Sequence, residues 1–461
     1  MKRLTYIQVT IMYLVLALIT SDCSDDSTRP KPTDEPKHLW SKHFGDASPQ
    51  YGHSVACDGS GNVVVTGYFN GRVDFGGGSL GSAGNNDIFL AQFDADGNHL
   101  WSKRFGDSSP QSCNSVACNE SGNIVIAGQF NGTVDFGGGP LTSAGGGENF
   151  LAKFDVNGNH LWSTRFAGDR QLDNPNVAFS GSGNVMVTGS FEGTVDFGGG
   201  PLTSVGNMDI FLVQYDANGN HIWSRRFGEA QSQYGYDVAC DVPGNVVAAG
   251  SFEGTVDFGG GPLTCEGHSD IYLVKFDSNG NHVWSKRFGD GSFQQCHSVV
   301  CDGSGDILIM GVFGGTVDFG GDTLTCAGSL DIFLAKFDTD GGHLWSKRFG
   351  DSWVQYSRSV ACDGSGNVVV TGYFRSTINF GGGTLTSAGA DDIFLAEFDS
   401  NGNHLWSKRF GDAYFQQCHS TACDGSGNVM VTGYFEGTVD FGGGPLTSAG
   451  NKDIFLVKFE P

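Results

Sequence analysis

Seven tryptophans, Trp40, Trp101, Trp162, Trp223, Trp284, Trp345 and Trp406, follow one another at a constant interval of 61 residues. No drift accumulates, so residues 38–461 are one module copied seven times, and a fixed period of this length marks a repeat architecture. The count constrains the fold as much as the period does. A module that recurs seven times and then stops is able to close into a ring.

The third copy shows what a module holds. Residues 160–166, 176–179, 185–191 and 209–215 are short β-branched and aromatic runs bounded by Gly, Asn and Asp, the pattern of strands. Nothing between them has the 3.6-residue apolar spacing of an amphipathic helix. The expected fold is all-β: a seven-bladed β-propeller of four-stranded antiparallel sheets. Tight glycine turns (58–62, 119–123, 241–245) join the second and third runs. D-x-[DN]-G-N turns (94–98, 155–159, 216–220, 277–281, 399–403) join the fourth run to the next tryptophan run. In both, Gly or Asn accepts a positive φ.

The ends predict how the ring closes. The repeats open with a tryptophan run (38–44) and finish with the DIFLVKF run (453–459), which no turn follows. The N-terminal run should therefore complete the last blade from outside, pairing with 453–459 and removing free sheet edges.

Residues 1–23 start with Met1-Lys2-Arg3 and continue as a mostly apolar stretch, which reads as a secretory signal. Residues 24–37 are a polar, proline-containing linker before the propeller at 38–461. The run LALITSDC, ending at Cys23, resembles a bacterial lipoprotein signal, in which that cysteine carries the lipid. Asp22 departs from it, standing where the motif has Gly, Ala or Ser. Lipidation of Cys23, ordinary cleavage and a retained anchor all remain open. Any membrane contact is expected only through this segment, and the location is the cell envelope, periplasm or outer surface of a bacterium.

A formal net charge of -24 repels nucleic acid and anionic lipid, so neither is an expected partner. No Walker-type loop or other cofactor motif is present, and a monomer without cofactor is the expectation. Cys57, Cys118, Cys240, Cys301, Cys362 and Cys423 share one repeat position that Phe179 fills in the third copy. A site that takes Phe or Cys is an apolar packing site. Neighbouring blades, roughly 10 Å apart, are too distant for disulfides.

The copies differ most in the link from each tryptophan run to the next inner strand. Gln recurs there at Gln50, Gln111, Gln233, Gln294, Gln355 and Gln416, with Leu172 in the third copy. Its last residue changes from copy to copy: His53, Asn114, Pro175, Tyr236, His297, Arg358, His419. Tyr51, Tyr234, Phe293, Trp353, Tyr356, Tyr414 and Phe415 lie around these. Aromatic rings and amides at a pore mouth suit a glycan or a peptide. For the glutamines, a role in tying the loop to backbone competes with ligand contact, and the variable residues are equally those of a loop free to drift.

The acidic turns resemble the start of an EF-hand loop but lack its later ligands, so Asx turns account for them. His38, His99, His160, His221, His282, His343 and His404 are spread around the rim and cannot share a metal. No nucleophile–base pair or paired carboxylate stands out.

The pattern GSGNVVVTGYF…DIFLAKFDxNGNHLWSKRFG resembles the bacterial seven-bladed β-propeller repeat found in exported proteins and lipoproteins, over residues 38–461. That resemblance implies a surface or periplasmic protein and carries no catalytic residue. The expectation is an exported binding or scaffolding propeller whose ligand, a glycan or a protein or peptide, meets the variable face. The alternative is a polysaccharide-active hydrolase or lyase using the pore mouth.

Overall fold

A computed structural model describes residues 35–145, 147–168 and 172–460. The leader, Cys23 and most of the linker lie outside the described residues. Seven four-stranded antiparallel sheets repeat along the chain. In blade 1 the strands run from the axis outward as Gln50–Cys57, Val63–Phe69, Asp87–Phe93 and His99–Phe105. Each inner strand touches the inner strands of both neighbouring blades, and the seventh touches the first, so the ring is closed. In blade 7 the outermost strand is Lys37–Phe44, paired with Asp453–Glu460 from His38 opposite Phe459 to Phe44 opposite Ile454. That is the expected closure.

The core is seven apolar layers between blades. Middle strands such as Asp87–Phe93 are buried on both faces, which is why they read as continuous apolar runs. One layer joins Val64, Ile88 and Leu90 of blade 1 to Val116, Ile124, Ile126 and Phe150 of blade 2. The cysteine position packs at the edge of each layer, and Phe179 does so in its turn. All eleven cysteines among the described residues are free.

The tryptophan period has a cause at the outer rim. Each of the five D-x-[DN]-G-N turns, and the sixth at 338–342 where Gly342 replaces the Asn, places its glycine against the tryptophan of the preceding blade. Gly97, with φ +80°, sits over Trp40 so closely that a Cβ would lie 2.8 Å from the ring. The Trp40 indole N–H then donates to Ala95 O of the same turn at 3.1 Å. Trp101, Trp162, Trp284 and Trp345 repeat the bond. The turn carboxylate is spent locally: Asp94 Oδ1 accepts from the amides of Asp96 and Asn98, and Oδ2 from the Asn98 side chain. These are Asx turns, as the sequence suggests.

Two features were not anticipated. The V-D-F-G-G-G connection contains a small hairpin, as in Thr133–Asp135 against Pro140–Thr142. The inner strands also begin earlier than the apolar runs, at the glutamine or at Leu172, because their first half pairs with the second strand across a bulge.

Candidate functional site

The bulge builds the pore mouth. In blade 1 Gly52 pairs with Gly67 and Ser54 with Thr66, so His53 is the extra residue. The same skip falls at Asn114, Tyr236, His297, Arg358 and His419, and in blade 3 it spans Pro175. A bulge re-aims the side chain it carries. All seven of these variable residues line one cavity of about 400 Å³, together with Ser115, Asn176 and Gln295.

Below the bulge lies a second ring, absent from the sequence reading. Ser54 Oγ accepts the amide N–H of Val116 in the next blade at 3.1 Å. Ser115, Ser298, Ser359 and Ser420 make the same bond to Val177, Val360, Thr421 and Val55. Asp237 takes that position in blade 4 and accepts from Val299 at 2.8 Å, and burial pushes its carboxyl up to about 6. In blade 3 Asn176 instead donates to Tyr236 O at 3.2 Å. The 61-residue recurrence of Ser, broken by Asn176 and Asp237, was the available signal.

The mouth is chemically lopsided. The His53 and His419 rings meet edge to face at 4.7 Å, and His53 stacks on Tyr68 at 5.0 Å. Tyr51 packs on Tyr68 at 4.8 Å and on Tyr434 at 5.1 Å, with Lys452 Nζ 4.4 Å from the Tyr434 ring. Arg358 donates to Tyr373 Oη at 3.0 Å, and its guanidinium lies 5.2 Å from the Tyr373 ring centre. Tyr68, Tyr373 and Tyr434 share one second-strand position that also holds Gln129, Ser190, Ser251 and Val312. That variation within an otherwise uniform run could have identified them. Burial, with Arg358 nearby, holds both His53 and His297 down to about 4. Burial, aided by His53 and Arg358, also lowers His419 well below the usual imidazole range.

The glutamines are elsewhere. Gln50 is fully buried, and its amide donates to Asp46 Oδ1 at 2.8 Å and to Asn70 O at 3.0 Å. Gln111, Gln294 and Gln416 repeat both bonds. Gln355 keeps the aspartate bond and Gln233 the carbonyl bond. They clamp the lead-in loop onto their own blade and do not line the cavity. Trp353 and Tyr414 stand exposed on lead-in loops outside it, and Phe415 lies there under Arg375, 5.8 Å from its ring centre.

Two larger grooves, of about 730 and 450 Å³, open on the opposite face among the turns. They are joins between blades. Lys336 is neutralised there by Asp302 at 2.8 Å and Lys275 by Asp241 at 3.0 Å, and the Lys458–Asp424 pair repeats them in blade 7. Among the described residues no group of three or more His, Cys, Asp or Glu is placed to hold a metal ion, and no helix is long and apolar enough to cross a membrane.

The geometry defines a seven-bladed propeller with one asymmetric mouth. No family model matches the chain. It is 21% identical over 500 residues to an uncharacterized WD repeat-containing protein of Acanthamoeba polyphaga mimivirus, covering 86% of this chain and 36% of that one. It is 24% identical over 191 residues to the regulatory protein FlaEY of Caulobacter vibrioides, covering 40% and 20%. The chain thus spans well under half the length of either relative. Among solved structures it is similar to the WD40 propeller domain of Doa1, with TM-score 0.47, 10% identity and 92% and 96% coverage of the two chains. It is also similar to puromycin hydrolase, with TM-score 0.45, 11% identity and 84% and 51% coverage. These likenesses are too remote to carry a function across.

Proposed function

We propose that the chain is an exported, monomeric, non-enzymatic binding or scaffolding propeller that receives a protein or peptide partner at the variable pore mouth, with a glycan as the alternative occupant. One observation carries the reading. The positions at which the seven copies are most individual converge on a single cavity, whereas the opposite face repeats near-identical turns. Seven-fold repetition suffices to build a ring, and a singular mouth is what a specific ligand requires.

The test is a peptide library and a glycan array probed with the whole chain and with Asn114→Trp, which fills the cavity. Ligands of the mouth are expected to bind the wild type and to be lost from the variant. Ligands that bind both equally well would move the function off the mouth.

A hydrolase has one contact in its favour: His297 Nδ1 lies 2.9 Å from Ser357 Oγ. The same nitrogen lies 3.1 Å from Ser357 O, and Nε2 lies 3.0 Å from Gln295 Oε1, so the ring is held from both sides within the wall. Ser357 is also fully buried. The contact holds blade 5 to blade 6.

A further inference from the structure

The mouth inverts the charge of the molecule. Asp and Glu outnumber Lys and Arg by 50 to 26 in the chain, yet among the described residues no carboxylate lines the cavity, and Arg358 does. Among the described residues Arg358 makes no ion pair. The acid in its surroundings, Asp391, is already held by Arg375 and by Gln417 at 2.7 Å.

The two histidines facing each other complete the pattern. Neither ring nitrogen of His53 or His419 has a hydrogen-bond partner among the described residues, and in both rings Nε2 is sealed from solvent. Burying an unpaired N–H costs more than burying an unpaired lone pair. The proton therefore belongs on Nδ1, the nitrogen left open, so each ring offers an N–H donor. His297 differs because both of its ring nitrogens already have partners, Nδ1 in Ser357 and Nε2 in Gln295.

We propose that the pore mouth is a carboxylate-binding site in which Arg358 supplies the charge and His53 and His419 supply Nδ1–H donors. Burial keeps both imidazoles neutral at physiological pH, so among the described residues one guanidinium is the whole positive charge of the lining. A monoanion matches it, and a phosphate dianion would leave a charge unpaired. Lys452 is engaged with Tyr51 and Tyr434, which it faces at 5.2 and 4.4 Å. This inference rests on the mouth being the binding face and adds the chemistry it recognises. The carboxylate belongs either to a small free acid or to the end of a peptide chain.

Acetate titrated into the full chain at constant ionic strength tests it, with the imidazole resonances of His53 and His419 as the readout. The expected result is a saturable shift that chloride does not produce. Arg358→Gln should weaken it about tenfold, the scale of one lost charge-assisted contact. His419→Phe, which keeps a ring against Tyr434, should weaken it as well, and unchanged melting confirms that both variants fold. Triglycine against its C-terminal amide separates the two sources. An acid-selective peptide that binds more tightly than acetate assigns a chain terminus, and equal affinities assign a small acid. No saturable shift in the wild type, or one that Arg358→Gln leaves unchanged, overturns the proposal. If library ligands are still lost on filling the cavity while acetate is silent, only the carboxylate inference falls.

Discussion

The indole N–H of Trp406 donates to the carboxylate of Glu397 in its own blade. In five other blades the tryptophan reaches instead to a turn carbonyl of the next blade. The difference follows from closure. Blade 7 takes its fourth strand from the N-terminal side, so no hairpin joins its third and fourth strands and Trp406 has no turn to meet. Glu397 stands where blades 2, 4, 5 and 7 have Lys153, Lys275, Lys336 and Lys458, each reaching a carbonyl of that same turn. A lysine here would lack that carbonyl, and the acid gives the Trp406 indole an acceptor in its place. Glu35, just before the first strand, pairs with Lys408 at 2.8 Å on the same outer strand.

The substitution has a pH signature. Burial, together with Asp363, pushes the Glu397 carboxyl from 4.5 up to about 7. Between those values the folded protein keeps a proton that the unfolded chain has released. This contribution to stability is therefore full at the acid end and is lost as pH rises through the window. Glu397→Gln mimics the protonated acid. Its melting temperature should gain on the wild type by a few degrees as pH is raised through that interval. Parallel curves would show that Glu397 is not the titrating group.

Closure also leaves an ion pair unmade. Arg104, Arg226, Arg287, Arg348 and Arg409 each hold the buried aspartate that opens the third strand of their blade, and Arg165 holds Glu148. In blade 7 the buried Asp453 faces His43 from the N-terminal strand, and its carboxyl is raised by burial. His43→Arg restores the pair of the other blades and is expected to stabilise the protein by about 1 kcal/mol, as a charge-assisted bond to a group already buried. Chemical denaturation measures it, and a loss of stability would mean that the closing blade is not equivalent to the rest.

Cysteine is a filler of the interblade layer. Cys240 packs with Ala178, Trp223, Val238 and Val246, and burial pushes its thiol well up. Such thiols are inert. Cys240→Ala should cost about 1 kcal/mol, the small-cavity scale. Thiol titration of denatured, unreduced protein should find the cysteines free, and several disulfides by mass spectrometry would defeat this account.

Period and turn chemistry made the blades, their number and their closure legible, because each depends on residues recurring at one spacing. The mouth was half legible. Variation marked His53 and its six counterparts, but the bulge that aims them depends on which residue the pairing skips, and no composition reports that. For the glutamines the sequence leaves loop-tying and ligand contact both open, since a buried amide clamping a loop and an exposed amide awaiting a ligand are spelled identically. Three-residue hairpins such as Thr133–Asp135 with Pro140–Thr142 are too short to show a strand pattern. Tyr68, Tyr373 and Tyr434 were hidden inside a run whose other residues are core.

The exposed aromatics outside the cavity measure how far a partner extends. Trp353 and Tyr414 are 59% and 58% exposed on the lead-in loops of blades 6 and 7, flanking the wall that carries Arg358 and His419. A protein or peptide seated at the mouth covers them, and a ligand confined to the cavity does not. Trp353→Ala and Tyr414→Ala are each expected to weaken a macromolecular partner by about 1–3 kcal/mol, the range of aromatic interface anchors. The acetate response should stay intact, because neither ring lines the cavity. Asn281→Ala on the turn face loses a 2.9 Å bond to Asp277 and should lower stability without touching affinity. Calorimetry of the three variants against one partner decides the matter. Affinity that survives both aromatic changes confines the ligand to the cavity, and affinity lost only with Asn281 places the binding surface on the turns.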